Sequence, residues 1–174
     1  GIETYTDDVS EGIEAYLSAG EQSIELSGSG EAEFKDESLW TATGGEIQAP
    51  RVIDTKETLV INLSVTISKA ANNAQVMIIL KDNSGRPVAA FTTESEKGTV
   101  LLLRAGEHHC KFEIGALGLT PGKYHFVVLA KSAETGSVYI RKEGILPFNV
   151  SNVDSSGYIW APLSRIAKAE VATV

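Results

Sequence analysis

Apolar and polar residues alternate with a strict period of two over Thr58–Ser68 (TLVINLSVTIS), where Leu59, Ile61, Leu63, Val65 and Ile67 fall on one side. Successive side chains of a strand point to opposite faces, so this run predicts a half-buried strand. The same texture returns along the chain at intervals of roughly eight to twelve residues, each run closed by a turn signal. Ser23–Ser27 and Ala32–Thr43 are divided by Gly28-Ser29-Gly30, and NSGRP joins Gln75–Asp82 to Val88–Thr93. Gly98–Arg104 and His109–Ile114 flank the turn AGE. Pro121-Gly122 opens a strand that runs to Ala130, ETG turns the chain back into Ser137–Glu143, and Ile145–Val150 follows. Only Val9–Ala19 departs from this pattern. Its Val9, Ile13, Tyr16 and Leu17 recur at helical spacing, Ser10 can cap the start and Gly20 stops it, which predicts one short acidic helix.

Some nine strands and one helix predict an all-β fold, an antiparallel immunoglobulin-like or jelly-roll β-sandwich rather than a parallel α/β sheet. Ser151–Gly157 (SNVDSSG) reads as a linker. The sandwich is therefore expected over residues 23–153, preceded by a helical segment over 1–22 and followed by an arm over 154–174 that a second copy can exchange.

Tyr124 follows Pro121-Gly122 at the start of a late strand. In sandwiches a tyrosine so placed hydrogen-bonds back across the connecting corner and pins one sheet over the other. Pro121 presets φ and Gly122 supplies the turn. If Tyr124 faces the core, so do Phe126, Val128 and Ala130, while His125, Val127, Leu129 and Lys131 face away. The strand beside it puts Val76, Ile78 and Leu80 inside and Met77, Ile79 and Lys81 outside. An outward face of Met, Ile, Val and Leu edged by His and Lys is not a solvated one. It calls for a cover supplied by the chain itself, by a partner subunit or by a ligand, with protein favoured.

Net charge narrows the partners. The formal charge is −8 with a pI of about 4.9, which disfavours nucleic acid and anionic membrane, since phosphate contacts need clustered Lys and Arg. The one cysteine, Cys110, excludes an internal disulfide and fits a reducing compartment. The first residues show no basic segment followed by an apolar core, so no secretory leader is expected.

Enzyme chemistry finds no footing in the sequence. G-x-S-x-G and H-E-x-x-H are missing, and GSGEAEFK lacks the Gly-Lys-Ser/Thr ending of a phosphate loop. Of His108, His109 and Cys110, at most His108 and Cys110 share a face, too few for a zinc site. No catalytic residue, metal or cofactor is expected. Asn62-Leu-Ser and Asn149-Val-Ser match a glycosylation sequon but fall inside strands. What remains is a binding patch. Sugars stack their C–H faces on aromatic rings and offer hydroxyls to polar groups. Aromatic residues off the core are Trp40, Tyr139, Tyr158 and Trp160. Tyr139 and Arg141 alternate on one side of their strand, beside Leu129 and His125, and with Met77 and Lys81 they form the candidate carbohydrate-binding patch.

The order of motifs resembles the carboxy-terminal domain of Wzt-type proteins, the ATP-binding subunits of bacterial transporters that export O-antigen polysaccharide. The likeness rests on Val76–Val88 with IILKDNSGRPV, His109–Tyr124 with CKFEIGALGLTPGKY, Leu146–Val150 (LPFNV) and Gly157–Pro162 (GYIWAP). The resemblance implies a non-catalytic sandwich that binds the finished glycan, often at its modified non-reducing end, before export. It further implies a homodimer whose carboxy-terminal strand crosses to the partner, and a nucleotide-binding domain upstream that residues 1–22 join to the sandwich. The membrane subunit of the transporter would be a partner of that full-length protein, which would sit in the cytoplasm at the inner face of the bacterial inner membrane. Binding residues in such domains vary with the exported sugar, so the resemblance transfers no site. A dimerisation or docking module without glycan binding is the competing expectation.

Overall fold

The structure is a computed structural model, and it describes residues 25–49, 51–54, 57–71, 73–93, 100–115, 118–151 and 168–173. Ten strands fill this part: β1 (Glu25–Ser27), β2 (Ala32–Thr41), β3 (Val52–Asp54), β4 (Leu59–Ile67), β5 (Ala74–Asp82), β6 (Pro87–Thr92), β7 (Gly106–Ile114), β8 (Gly122–Ser132), β9 (Val138–Ser151) and β10 (Lys168–Thr173). The helix expected over Val9–Ala19, and Tyr158 and Trp160, lie outside the described residues. No helix among the described residues is long and apolar enough to cross a membrane.

Two sheets stack face to face. The first has the order β1-β9-β8-β5-β6, with β3 added to β9, and the second has the order β10-β7-β4-β2. All pairings are antiparallel except β3 on β9, which is parallel. The alternation of β4 is seen directly, since Leu59, Ile61, Leu63, Val65 and Ile67 all enter the core. Opposite them stand Val76, Ile78 and Leu80 of β5 and Tyr124, Phe126, Val128 and Ala130 of β8, as the pleat requires. Phe148 of β9 stacks on Tyr124 at 5.6 Å and on Phe126 at 5.5 Å between ring centroids.

The tyrosine corner is present. The Tyr124 hydroxyl donates to the Thr120 carbonyl at 2.8 Å and lies 3.1 Å from Thr120 Oγ1. Tyr124→Phe keeps the ring stack and deletes both contacts. It is expected to lower unfolding stability by about 1 kcal/mol, read as a reduced urea midpoint with an unchanged slope.

β9 is one long strand where the sequence suggests two. Its register against β8 shifts twice between Tyr124 and Val127, where Gly144 (φ 80°) and Leu146 (φ 48°) take left-handed conformations. Extra residues in one strand bend it and strengthen its twist. The kink divides the free edge of β9, so that β1 pairs with Arg141–Glu143 and β3 with Asn149–Ser151. At the other end Gly28 (φ 130°) lies so close to the Tyr139 carbonyl that a Cβ would fall 2.5 Å from its oxygen. Only glycine fits there.

One expectation about the strands needs correction. The described part of Gly98–Arg104 does not form a hairpin with β7. Leu103 bridges to Ala74, and Leu101 N–H donates to the Thr93 carbonyl, so this segment extends the first sheet. β3 is a strand that the sequence pattern does not announce. Only the arm's final residues are described, and there β10 closes the second sheet against β7, from Lys168↔Glu113 to Thr173↔His108.

Candidate functional site

The sandwich has two outward faces, and their chemistry differs. On the first sheet, cross-strand neighbours are Met77, Leu129 and Arg141 in one row and Ile79, Val127 and Glu143 in the next, with Lys81 beside His125. Five of the six expected patch residues thus come together: Met77, Lys81, His125, Leu129 and Arg141. Tyr139 does not join them. Ala130 pairs with Ile140 and Lys131 with Val138, so Tyr139 is the extra residue of a bulge, and it packs against the core cluster. One inserted residue is enough to change the face a side chain serves.

The patch is occupied by its own interactions. Glu143, absent from the sequence-based set, accepts from Lys81 Nζ through Oε1 and from Arg141 Nη2 through Oε2 at 2.6 Å. By register the Lys81–Glu143 pair passes over β8 between His125 and Val127. Beneath it His125 is 5%, Val127 0% and Leu129 7% exposed, although all three point away from the core. The two cations hold the Glu143 carboxyl below the usual carboxylate range by hydrogen bonding. Met77, Ile79, Lys81, Arg141 and Glu143 on the same face are half-buried, and its charged groups Lys81, Glu143 and Arg141 pair with one another.

His125 carries a pH signature. Its Nδ1 is buried without a hydrogen-bond partner among the described residues. Burial is the main cause that lowers its pKa. Lys81 adds to the effect, and Glu143 and Asp82 oppose it. The unfolded chain takes up a proton near pH 6.5 that the folded chain refuses until lower pH. Stability is therefore lost as pH falls below about 6.5. His125→Gln should show a shallower fall in urea midpoint between pH 6.5 and 5, a window above the range in which Asp82 and Glu143 titrate.

The second sheet's outward face is open and polar. A groove of about 700 Å³ crosses it, within the ~300–1,000 Å³ of small-ligand sites. Register explains its floor. Ser38, Asn62 and Lys111 form one cross-strand row, and Asp36, Ser64 and His109 form the next. These are the outward positions of strands whose alternate residues (Leu39, Ile61, Leu63, Cys110 and Phe112) are core. Ser64 Oγ and His109 Nδ1 are 2.9 Å apart. A bulge between Phe34 and Asp36 brings Lys35 onto the rim, 3.8 Å from Glu107. One row further along lie Trp40 and Val60. The half-buried Trp40 is oriented by its indole N–H, which donates to Ser38 Oγ at 2.8 Å. An aromatic surface thus borders a floor of hydroxyl, amide, imidazole and ammonium groups.

Behind the groove an ion pair joins the two sheets. Glu37 lines the groove and points inward, where its Oε1 accepts from Lys142 Nζ of β9. His108 and Cys110 also point inward, and burial pushes the Cys110 thiol up to about 12, a protonated and unreactive state.

Comparison with known proteins now decides the family. The model of the Wzt C-terminal domain matches residues 24–161, most of the chain. The chain belongs to the Wzt C-terminal domain family. Its fold also superposes on a crystal structure of the C-terminal domain of Wzt with a TM-score of 0.62 and 17% identity, over 79% of this chain and 82% of that one. A Listeria innocua β-glucosidase in complex with isofagomine aligns with a TM-score of 0.37 and 19% identity, over 74% of this chain and 17% of that one. Its complex with glucose gives 0.36 and 18%, over 74% and 16%. No curated protein matches the chain. Wzt C-terminal domains are non-catalytic parts of the ABC-transporter subunits of O-antigen transport, and their family supports a carbohydrate-binding role in that transport.

The groove escaped sequence reading for a physical reason. Ser, Asn, His and Lys on the outward side of a strand are what a solvated face also carries. The available signal was the shortness of Asn62, Ser64 and Thr66 on β4, where longer Lys or Glu would have filled the hollow.

Proposed function

We propose that this domain binds the O-polysaccharide destined for ABC-transporter export, and that the glycan lies in the groove across β2, β4 and β7. The supporting observation is the groove itself: a hollow of ligand size with Ser38, Asn62, Ser64, His109 and Lys111 on its floor and Trp40 at its edge. Hydroxyl and amide groups exchange hydrogen bonds with sugar hydroxyls in both directions, while the indole face takes the apolar C–H side of a ring. The non-reducing terminus is the part of the polymer held. Two copies assemble by exchanging β10, whose ladder on β7 serves equally within or between chains. The domain works on the cytoplasmic side of the inner membrane, where the full-length subunit meets the transporter's membrane partner.

Calorimetric titration with the O-polysaccharide of the source strain tests this, with an unrelated polymer as control. Saturable heat with the first alone is expected, and Ser64→Trp, which fills the groove, should abolish it. Heat that survives in Ser64→Trp would refute the site, and no heat with the cognate polymer would refute the function.

A further inference from the structure

We infer that β10 is a wall of the glycan site, so that docking of this strand on β7 and binding of the polysaccharide are one linked equilibrium; the inference rests on the groove being that site. Register places β10 there. The row Asp36, Ser64 and His109 continues onto Ala172, and the row Ser38, Asn62 and Lys111 continues onto the position of Glu170. Ala172 is exposed and lines the groove. From β2 to β7 the floor is about 10 Å across, and β10 extends the surface to about 14 Å. His109 therefore lies between two short neighbours. On one side Ser64 Oγ is 2.9 Å from its Nδ1, and on the other stands Ala172. Directly opposed residues of antiparallel strands have Cβ atoms about 5 Å apart, so a sugar ring resting on His109 also touches Ala172.

The anchorage of β10 makes the linkage matter. Among the described strands it pairs with β7 alone, at the end of its sheet. Of its two described side chains, Val171 stands opposite Cys110 and packs, partly buried, against the core, while Ala172 faces the groove. β4, in contrast, sends Leu59, Ile61, Leu63, Val65 and Ile67 into the core. Elements with few buried apolar contacts open at lower free energy than core strands. Opening here turns β7 into an edge whose N–H and C=O groups go to water beside His109 and Lys111. A ligand that touches docked β10 binds that state better and so favours docking. By reciprocity, whatever undocks β10 weakens the ligand. The linkage holds whichever copy supplies the strand. Where a second copy does, the site takes this wall from the partner chain, and binding is linked to assembly as well.

Amide hydrogen exchange on the full chain, with and without saturating O-polysaccharide of the source strain, tests the linkage. Exchange over residues 168–173 should slow about tenfold or more with the polymer, and exchange at Ala89–Thr92, on the edge strand β6 of the other sheet, should not change. Val171→Asp undocks β10 without altering the groove-lining residues. It should speed exchange over 168–173 and weaken binding, read by calorimetry, about tenfold or more, while the amide spectrum of β4, β5 and β8 persists. Heat from the parent chain with exchange over 168–173 unmoved by polymer, or a folded Val171→Asp chain that binds as tightly as the parent, would overturn the inference and leave the groove reading standing. No heat from the parent chain would sink the groove reading and the inference with it.

Discussion

Trp40→Ala is expected to weaken polysaccharide binding about thirtyfold while leaving the fold intact. Trp40 points outward from β2, paired with Val60, so its removal opens no core cavity. Its indole N–H is held by Ser38 Oγ, which fixes the ring before ligand arrives. A pre-oriented aromatic ring at a binding edge costs on the order of 2 kcal/mol when truncated, and 1.4 kcal/mol is a factor of ten in affinity. Trp40→Phe should recover most of the loss, because a ring face remains. Calorimetry reports the affinity, and a parallel urea titration should show the midpoint almost unmoved. A thirtyfold loss accompanied by a large drop in stability would assign Trp40 to folding instead.

Lys142→Met should be the most destabilising single change on the molecule's polar framework. Lys142 lies on the core side of β9 by register with Val128, and its ammonium reaches Glu37 of the opposite sheet. The two side chains are only 18% and 15% exposed, and Glu37 Oε2 is buried without a further partner among the described residues. Deleting one member of a buried pair leaves an uncompensated charge, which costs 3–5 kcal/mol in the deep interior. The residual exposure here places the expected loss near the lower bound, at about 3 kcal/mol. Glu37→Gln together with Lys142→Met removes both charges and should regain at least half of it. Denaturation of the two single variants and the double variant gives the coupling directly. A single variant within 0.5 kcal/mol of the parent, roughly what a surface substitution costs, would show that the pair is not desolvated.

The layers of this fold were legible because burial is written in period two. β4, β5 and β8 take the inner and outer sides that their alternation assigns, and Tyr124 closes its corner as its place after Pro121-Gly122 suggests. What escaped depends on contacts between distant residues. β3 is three residues long and exists because the kink at Gly144–Leu146 leaves β9 a second free edge. Leu103 pairs with Ala74 rather than within its own hairpin, a choice local pattern does not encode. One bulge residue takes Tyr139 off the face that simple alternation assigns it. Glu143 reads in sequence as an ordinary solvated carboxylate, yet it joins Lys81 and Arg141 within the expected patch. The groove needed three strands in register before its short polar residues became one floor.

The most direct test is a methyl and amide NMR titration of the domain with the cognate O-polysaccharide. The account predicts shift changes gathered on Ser38, Trp40, Asn62, Ser64, His109 and Lys111, with His125, Leu129 and Arg141 unmoved. Changes centred on the Lys81–Glu143–Arg141 face, with the groove silent, would contradict it.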